Sequence, residues 1–341
     1  MNLLGLTCDE LTEMFRRRYG RGLFHAAAVY RAFYRDPCFD IGKLPEFAAS
    51  GGLAEEVGAD LSIRLPEVVR QETCERTTKL VLRLADGLEI ESVVVPMANH
   101  TSLCLSSQAG CRMGCRFCRT GQMGFQRNLR ADEIVAQVYA VKVLMGLNVR
   151  NVVFMGMGEP LDNFDALIRA IRILEDQRGL NIAKRHMTVS TVGLVEGIRK
   201  LAAQNWPQLK LAVSLNAPND DVRNRLMPIN HRFPLSQLKS VLQDYPLARG
   251  NALFFEYVLI KGQNDQPAHA GQLSAYLKGL PAKLNLILFN PGPNLPYLAP
   301  TPEDVARFHC ALVAEGVFVR LRSAKGADIR AACGQLGRAN I

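Results

Sequence analysis

The sequence predicts an α/β fold in which helices cover a parallel sheet, either open and doubly wound or curled into a partial barrel. From Leu103 onward, six apolar runs of strand length, "LCLSSQ", "NVVFMG", "HMTVS", "LKLAVSL", "ALFFEYVL" and "LNLILF", alternate with amphipathic helical periods. Six βα units in succession require a parallel sheet, because each crossover returns the chain to the same end of the next strand. The segment ahead of them follows a different pattern, helical first and then alternating, so a smaller helical part precedes the sheet.

Taken in order, "CDELTEMFRRRYG" and "HAAAVYRAFYR" carry helical periodicity, and "IGKLPEFAASGGLAEEVGADL" continues it. "TTKLVLRLADGLEIESVVVP" then alternates around "ADG", which signals a hairpin. These patterns divide the chain into a helical accessory segment, residues 1–75, a hairpin, 76–100, and a core, 101–341. Within the core, Ile134, Val138, Val141 and Met145 mark the first helix, and "NFDALIRAIRILED", "LVEGIRKLAAQ", "LSQLKSVLQDY", "HAGQLSAYLKGL" and "PEDVARFHCALVAEG" mark the others. The tail "VFVRLRSAKGADIRAACGQLGRANI" supplies one more strand and then a loop around Cys333. In such folds ligand loops follow the C-terminal ends of the strands.

With 48% apolar and 21% charged residues among 341, long disorder is excluded. No apolar run reaches the roughly 18 to 20 residues that span a bilayer, and "MNLLGLTCDELTEMF" meets acids too early for a secretory signal. A cytoplasmic protein without a membrane partner is expected. Nine unevenly spaced cysteines fit a reducing compartment and metal or catalytic thiols better than a disulfide framework. The net charge is +9, and between Glu91 and Asp132 there is no carboxylate, while Arg112, Arg116, Arg119, Arg127 and Arg130 crowd the second half of that interval. Those arginines read either as a solvated basic loop or, lacking a counter-charge, as contacts for nucleic-acid phosphates.

Four cysteines fall within "CLSSQAGCRMGCRFC". Cys111, Cys115 and Cys118 have the spacing C-x3-C-x2-C just after the first core strand. A closed zinc site takes four ligands, usually as two close pairs, which three cysteines without a near fourth fit poorly. Thiolates are also the usual iron–sulfur ligands, and three on a four-iron cluster leave one iron open to a small molecule. The turn "FMGMGEPL" follows the second strand, and Glu159 in it is a carboxylate able to pair with an ammonium group. Cys8, Cys38, Cys74 and Cys310 read as small apolar fillers, and Trp206 as packing.

The cysteine spacing, with Phe117 before the third cysteine, resembles the radical S-adenosylmethionine (SAM) superfamily. Together with "GMGEPL", "SLNAPNDDVRNRLMPIN", "NLILFNPGP" and "DIRAACGQL", the chain is similar to the RlmN/Cfr family of radical-SAM RNA methyltransferases. The resemblance implies a partial (β/α)6 barrel and one 4Fe-4S cluster held by Cys111, Cys115 and Cys118, whose open iron binds SAM. It implies SAM contacts at Gly158, Glu159, Ser190, Ser214, Asn216 and Asn290, and two SAM molecules per turnover. By the same matching, Cys333 carries the methyl group from the first SAM, a radical from the second activates it, and it joins an adenosine ring carbon. Cys104 then forms a transient disulfide with Cys333 that releases the RNA, and Glu91 is the general base. On its own, Glu91 would read as an exposed strand carboxylate. Ribosomal RNA, with transfer RNA as a further substrate, an electron donor such as a flavodoxin, and a monomeric chain complete the expectation.

Both adenine carbons stay open: "RSAKGADI", "STVG", "RLMPIN" and Gly114 lean toward the carbon-8 enzymes, "GMGEP" toward carbon 2. A radical-SAM enzyme acting on something other than RNA is the alternative, and it would need neither Cys333 nor Cys104.

Overall fold

Thr7 and Glu10 close a reciprocal capping box that starts helix α1 (Cys8–Tyr19), and Gly20, in the left-handed region, ends it. Helix α2 (Leu23–Arg35) and α3 (Leu53–Asp60) follow. The computed structural model of the chain describes residues 1–36, 40–292, 295–322 and 326–337, so Cys38 lies outside the described residues. After α3 come three antiparallel strands, β1 (Glu67–Cys74), β2 (Thr77–Arg83) and β3 (Glu89–Pro96). The expected hairpin is thus a three-strand meander, and β1 lies within the stretch assigned to the helical segment. As the edge strand, β1 buries no residue fully, so its sequence "EVVRQETC" lacks an apolar signal.

The core begins with β4 (Thr101–Cys104) and a short ribbon, β5 (Gln108–Gly110) and β6 (Phe125–Asn128), which brackets the one-turn helix α4 (Arg119–Gln122). Then α5 (Ala131–Met145), β7 (Val149–Phe154), α6 (Phe164–Glu175), β8 (Met187–Thr191), α7 (Val195–Ala202) and β9 (Lys210–Ser214) alternate. Two helices, α8 (Asp220–Leu226) and α9 (Leu235–Gln243), precede β10 (Leu253–Leu259). The chain ends with α10 (Pro267–Leu277), β11 (Ala282–Leu288), α11 (Pro302–Ala314) and β12 (Val319–Arg322). Ten strands form one sheet in the order β1-β2-β3-β4-β7-β8-β9-β10-β11-β12, antiparallel up to β4 and parallel from there to β12. The six expected βα units and the extra tail strand are all present.

Each core strand separates two faces. On β10, Leu253, Phe255, Tyr257 and Leu259 are fully buried, while Phe254, Glu256 and Val258 point to the other side. The helical segment packs onto this core through α5: Phe33 stacks on Tyr139 with ring centroids 4.7 Å apart, and the Tyr139 hydroxyl donates to the Phe33 carbonyl at 3.0 Å. Gln137, buried inside α5, accepts from the Ser92 hydroxyl and the Ser106 N–H and donates to the Ser106 carbonyl, joining the meander to the parallel strands. Among the described residues no helix is long and apolar enough to cross a membrane.

Candidate functional site

The cysteine loop is folded by its own neighbours. β5 and β6 pair across it, the Cys111 N–H donates to the Gly124 carbonyl at 3.0 Å, and the Cys118 N–H to the Cys115 carbonyl at 3.1 Å. Phe117, buried with Met113, Met227 and Phe289, anchors it to the sheet. All three thiols line one cavity. Burial pushes Cys111 up to about 12 and raises Cys115 and Cys118, and the negative charges of Cys118 and Cys111 raise Cys115 further. Three buried thiols of this kind ionise only beside a cationic group, a condition that a metal centre on them would meet. Among the described residues no three His, Cys, Asp or Glu side chains converge on a single metal ion, as a zinc site would need.

Beyond β7 the chain makes the glycine turn that the sequence singles out. A Cβ on Gly156 would stand 2.6 Å from the Leu105 carbonyl, and one on Gly158, at φ +97°, would stand 2.5 Å from the Gln108 side chain. Only glycines let the turn close onto the strand that leads into the cysteine loop. Gln108 locks the pair: its carbonyl accepts the Glu159 N–H at 2.9 Å, and its amide donates to Asn128 and Asp162. Glu159 faces the cavity, with one oxygen accepting from the Leu161 N–H and the other from the Val192 N–H at 2.9 Å. Burial still pushes it up to about 7, so its ionised form is under-compensated and suits an ammonium partner.

Ser190, Ser214 and Asn216 come from the C-terminal ends of β8 and β9 to the same cavity. Asn216 adopts a left-handed conformation at φ +56°, which asparagine tolerates, and its carbonyl accepts the Val258 N–H at 2.9 Å. That oxygen already holds β10 in place. Asn290 lies off the cavity wall; its amide Nδ2 is buried and lacks a hydrogen-bond partner among the described residues.

Cys333 lies in an irregular segment, as expected, and opens onto the cavity between the cluster thiols and β10. The surrounding protein pushes its thiol up to about 11, with the Glu256 carboxylate the next cause after burial. Its segment is held by distant groups: the Arg119 N–H donates to Gly334, the Thr120 hydroxyl to the Leu336 carbonyl at 2.7 Å, and the Gly337 N–H to Glu91 at 2.9 Å. Cys104 lies behind the cavity wall, raised by burial and then by the charge of Cys333. Glu91 is only 4% exposed, which overturns its reading as an exposed strand carboxylate. The C-terminal segment covers it, and burial raises its pKa against the pull of Gly337, Lys79, Arg70 and Arg119.

For three of the five arginines the missing counter-charge is corrected as well. Arg112 pairs with Asp162 at 2.9 Å and stacks on Phe125, Arg127 pairs with Glu133 and Asp86, and Arg130 pairs with Asp132. The fold brings counter-charges from outside the acid-free interval. The filler reading of the remaining cysteines holds for buried Cys8 but not for exposed Cys310, nor for Cys74, which is half-buried and hydrogen-bonds Asp328.

Sequence reasoning missed Gln108 and Glu256. For Glu256 there was a signal, a lone carboxylate inside the apolar run "ALFFEYVL".

Residues 105–270 match the Radical SAM superfamily. A radical SAM methyltransferase from Sphaerobacter thermophilus has the same fold, with a TM-score of 0.90 and 40% identity, covering 98% of this chain and 99% of that one. Over 98% of this chain, the dual-specificity RNA methyltransferase RlmN of Syntrophotalea carbinolica is 42% identical, with 89% of its length covered. Over the full chain, the probable dual-specificity RNA methyltransferase RlmN 1 of Protochlamydia amoebophila is 39% identical, with 95% of its length covered. A radical-SAM fold, a cavity faced by three clustered thiols, and full-length identity near these levels have one consequence: the chain belongs to the RlmN family of the radical SAM superfamily.

Proposed function

We propose that this protein methylates an adenine ring carbon of RNA, with Cys333 as the methyl carrier. The observation that supports this most is that Cys333, more than two hundred residues from the cysteine loop, opens onto the same cavity as Cys111, Cys115, Cys118 and Glu159. Cys111, Cys115 and Cys118 would hold a 4Fe-4S cluster. Glu159 pairs with the ammonium group of SAM, and Gly158 lets that group approach the backbone. Ser190, Ser214 and Asn216 line the rest of the SAM site, and the unpartnered amide of Asn290 is a donor for a ligand oxygen. The cluster and SAM, when bound, supply the electron and the radical that an unreactive aromatic carbon requires.

The chain's own residues do the remaining work. Cys333 takes a methyl group from one SAM and passes it to the ring, so two SAM molecules serve one turnover. Cys104, whose thiol feels the charge of Cys333, attacks that sulfur, forming a disulfide as the sulfur–carbon bond to the RNA breaks, and Glu91 accepts the ring proton once the Gly337 contact opens. Residues 1–75 form a second platform for ribosomal or transfer RNA, and a flavodoxin-like donor delivers electrons to a cytoplasmic monomer.

The test supplies the cluster-loaded chain with SAM labelled in its methyl group and maps the label by peptide mass spectrometry. Label is expected on Cys333, followed by carbon-2 or carbon-8 methyladenosine in ribosomal and transfer RNA digests. A Cys333 without label would sink the proposal.

A further inference from the structure

A cysteine that takes a methyl group must first lose a proton, and nothing assigned so far accepts it. The cavity offers few candidates. Glu159 has both oxygens engaged by backbone N–H groups, and Glu91 lies outside the cavity with one oxygen bound to Gly337. Glu256 remains. It stands on the cavity-facing side of β10, in register with Ser214 on β9 and Asn285 on β11, and lines the cavity that Cys333 opens onto. The Asn285 amide donates to one carboxylate oxygen at 2.8 Å and fixes its orientation. Among the described residues no donor occupies the other oxygen.

We infer that Glu256 is the base that receives the Cys333 proton when that sulfur is methylated, an assignment that rests on the carrier role proposed above. As the Cys333 sulfur bonds to the methyl carbon of the sulfonium donor, the old carbon–sulfur bond breaks and its electron pair leaves with the neutral thioether. The S–H proton passes to the Glu256 carboxylate. One positive and one negative charge disappear together, so the step leaves no new charge beside the buried Glu256, where an uncompensated one is costly.

The surrounding charges suit this role. The charge of Arg322 on β12 acts on both Cys333 and Glu256, and those of Cys118 in the cysteine loop and Cys104 on β4 couple to Cys333. Burial raises Glu256 above the ordinary carboxylate range, against Asn285 and Arg322, and so strengthens it as a base. A carboxylate that merely stood nearby would instead oppose the thiolate by repulsion. The two roles therefore predict opposite effects of removing the charge.

The experiment uses the full-length, cluster-loaded chain without SAM and follows alkylation of Cys333 by iodoacetamide, peptide by peptide, from pH 6 to 10. With Glu256 as base, proton exchange within the pair makes the wild-type rate nearly independent of pH over the lower part of that range. In Glu256→Gln the rate should rise about tenfold per pH unit, as for an unassisted thiol. Transfer of labelled methyl from SAM to Cys333 at pH 7 should fall about 100-fold in the same variant, the ordinary scale for a lost general base. A tenfold rise per unit already in the wild type overturns the assignment, even if the variant does not fold. So does a variant that alkylates faster than wild type throughout, which is the signature of simple repulsion. A wild-type chain that never transfers methyl to Cys333 overturns the carrier role instead, whatever the alkylation profile.

Discussion

The loop that holds Cys111, Cys115 and Cys118 and the segment that holds Cys333 meet at one cavity but are built in opposite ways. The loop is closed by the β5–β6 ribbon, by its own backbone bonds and by buried Phe117, nearly all within Gln108–Asn128. The Cys333 segment has no regular structure and is held by Arg119, Thr120 and Glu91 from far along the chain. A locally closed loop gives fixed geometry, which a cluster requires. A segment held by separable hydrogen bonds, these and the one from the Gln335 amide to the Pro291 carbonyl, can leave and return, which suits the proposed carrier with its two partners.

The largest expected effect breaks the first half of that contrast alone. Cys115→Ala should abolish cluster binding, read as loss of protein-bound iron and of the visible iron–sulfur absorbance, and no methylated RNA should form. The Cys333 segment should stay docked, because none of these hydrogen bonds uses Cys115. Hydrogen exchange at Gly337 should therefore match that of the wild-type apoprotein. Iron retained at wild-type stoichiometry would exclude Cys115 as a ligand.

This contrast also explains what could be read in advance. The six βα units were legible because apolar runs and helical periods are local patterns, and so was the thiol set, whose members lie within eight residues. Strand β1 was not, since a half-exposed edge strand carries little apolar alternation. Glu91 looked exposed because the segment that buries it arrives from 246 residues away. The arginines looked unpaired because Asp86, Asp162 and Glu133 reach them only through the fold. The carrier and disulfide roles proposed for Cys333 and Cys104 rest on family resemblance, since in the sequence neither position differs chemically from any other thiol.

A smaller effect sharpens the description of the fixed platform, because Glu159 belongs to it and is incomplete without a ligand. Its pKa stands at about 7 in the folded chain against 4.5 for a free group, so the folded state binds its proton more tightly. The corresponding stability is fully present below about pH 4.5 and is lost as pH rises through 7, amounting to about 3 kcal/mol. Urea unfolding of the ligand-free chain should show this loss between pH 5 and 8, and Glu159→Gln should remove most of it. An equal loss in both proteins would mean that Glu159 does not titrate in this range.

The smallest effect tests the docked segment through Thr120, whose hydroxyl also bonds the Cys118 thiol. Thr120→Ala deletes the hydroxyl that donates to the Leu336 carbonyl but leaves the α4 backbone that donates to Gly334. One hydrogen bond of this kind is worth about 1 kcal/mol, which shifts a local opening equilibrium by roughly fivefold. Hydrogen exchange at Gly337 should accelerate by that factor, while the global unfolding midpoint stays unchanged, because the segment opens separately from the sheet. Unchanged exchange would mean that other contacts hold the segment. A midpoint that falls along with the faster exchange would mean that the segment does not open separately from the sheet, and the division between fixed platform and movable carrier would then be wrong.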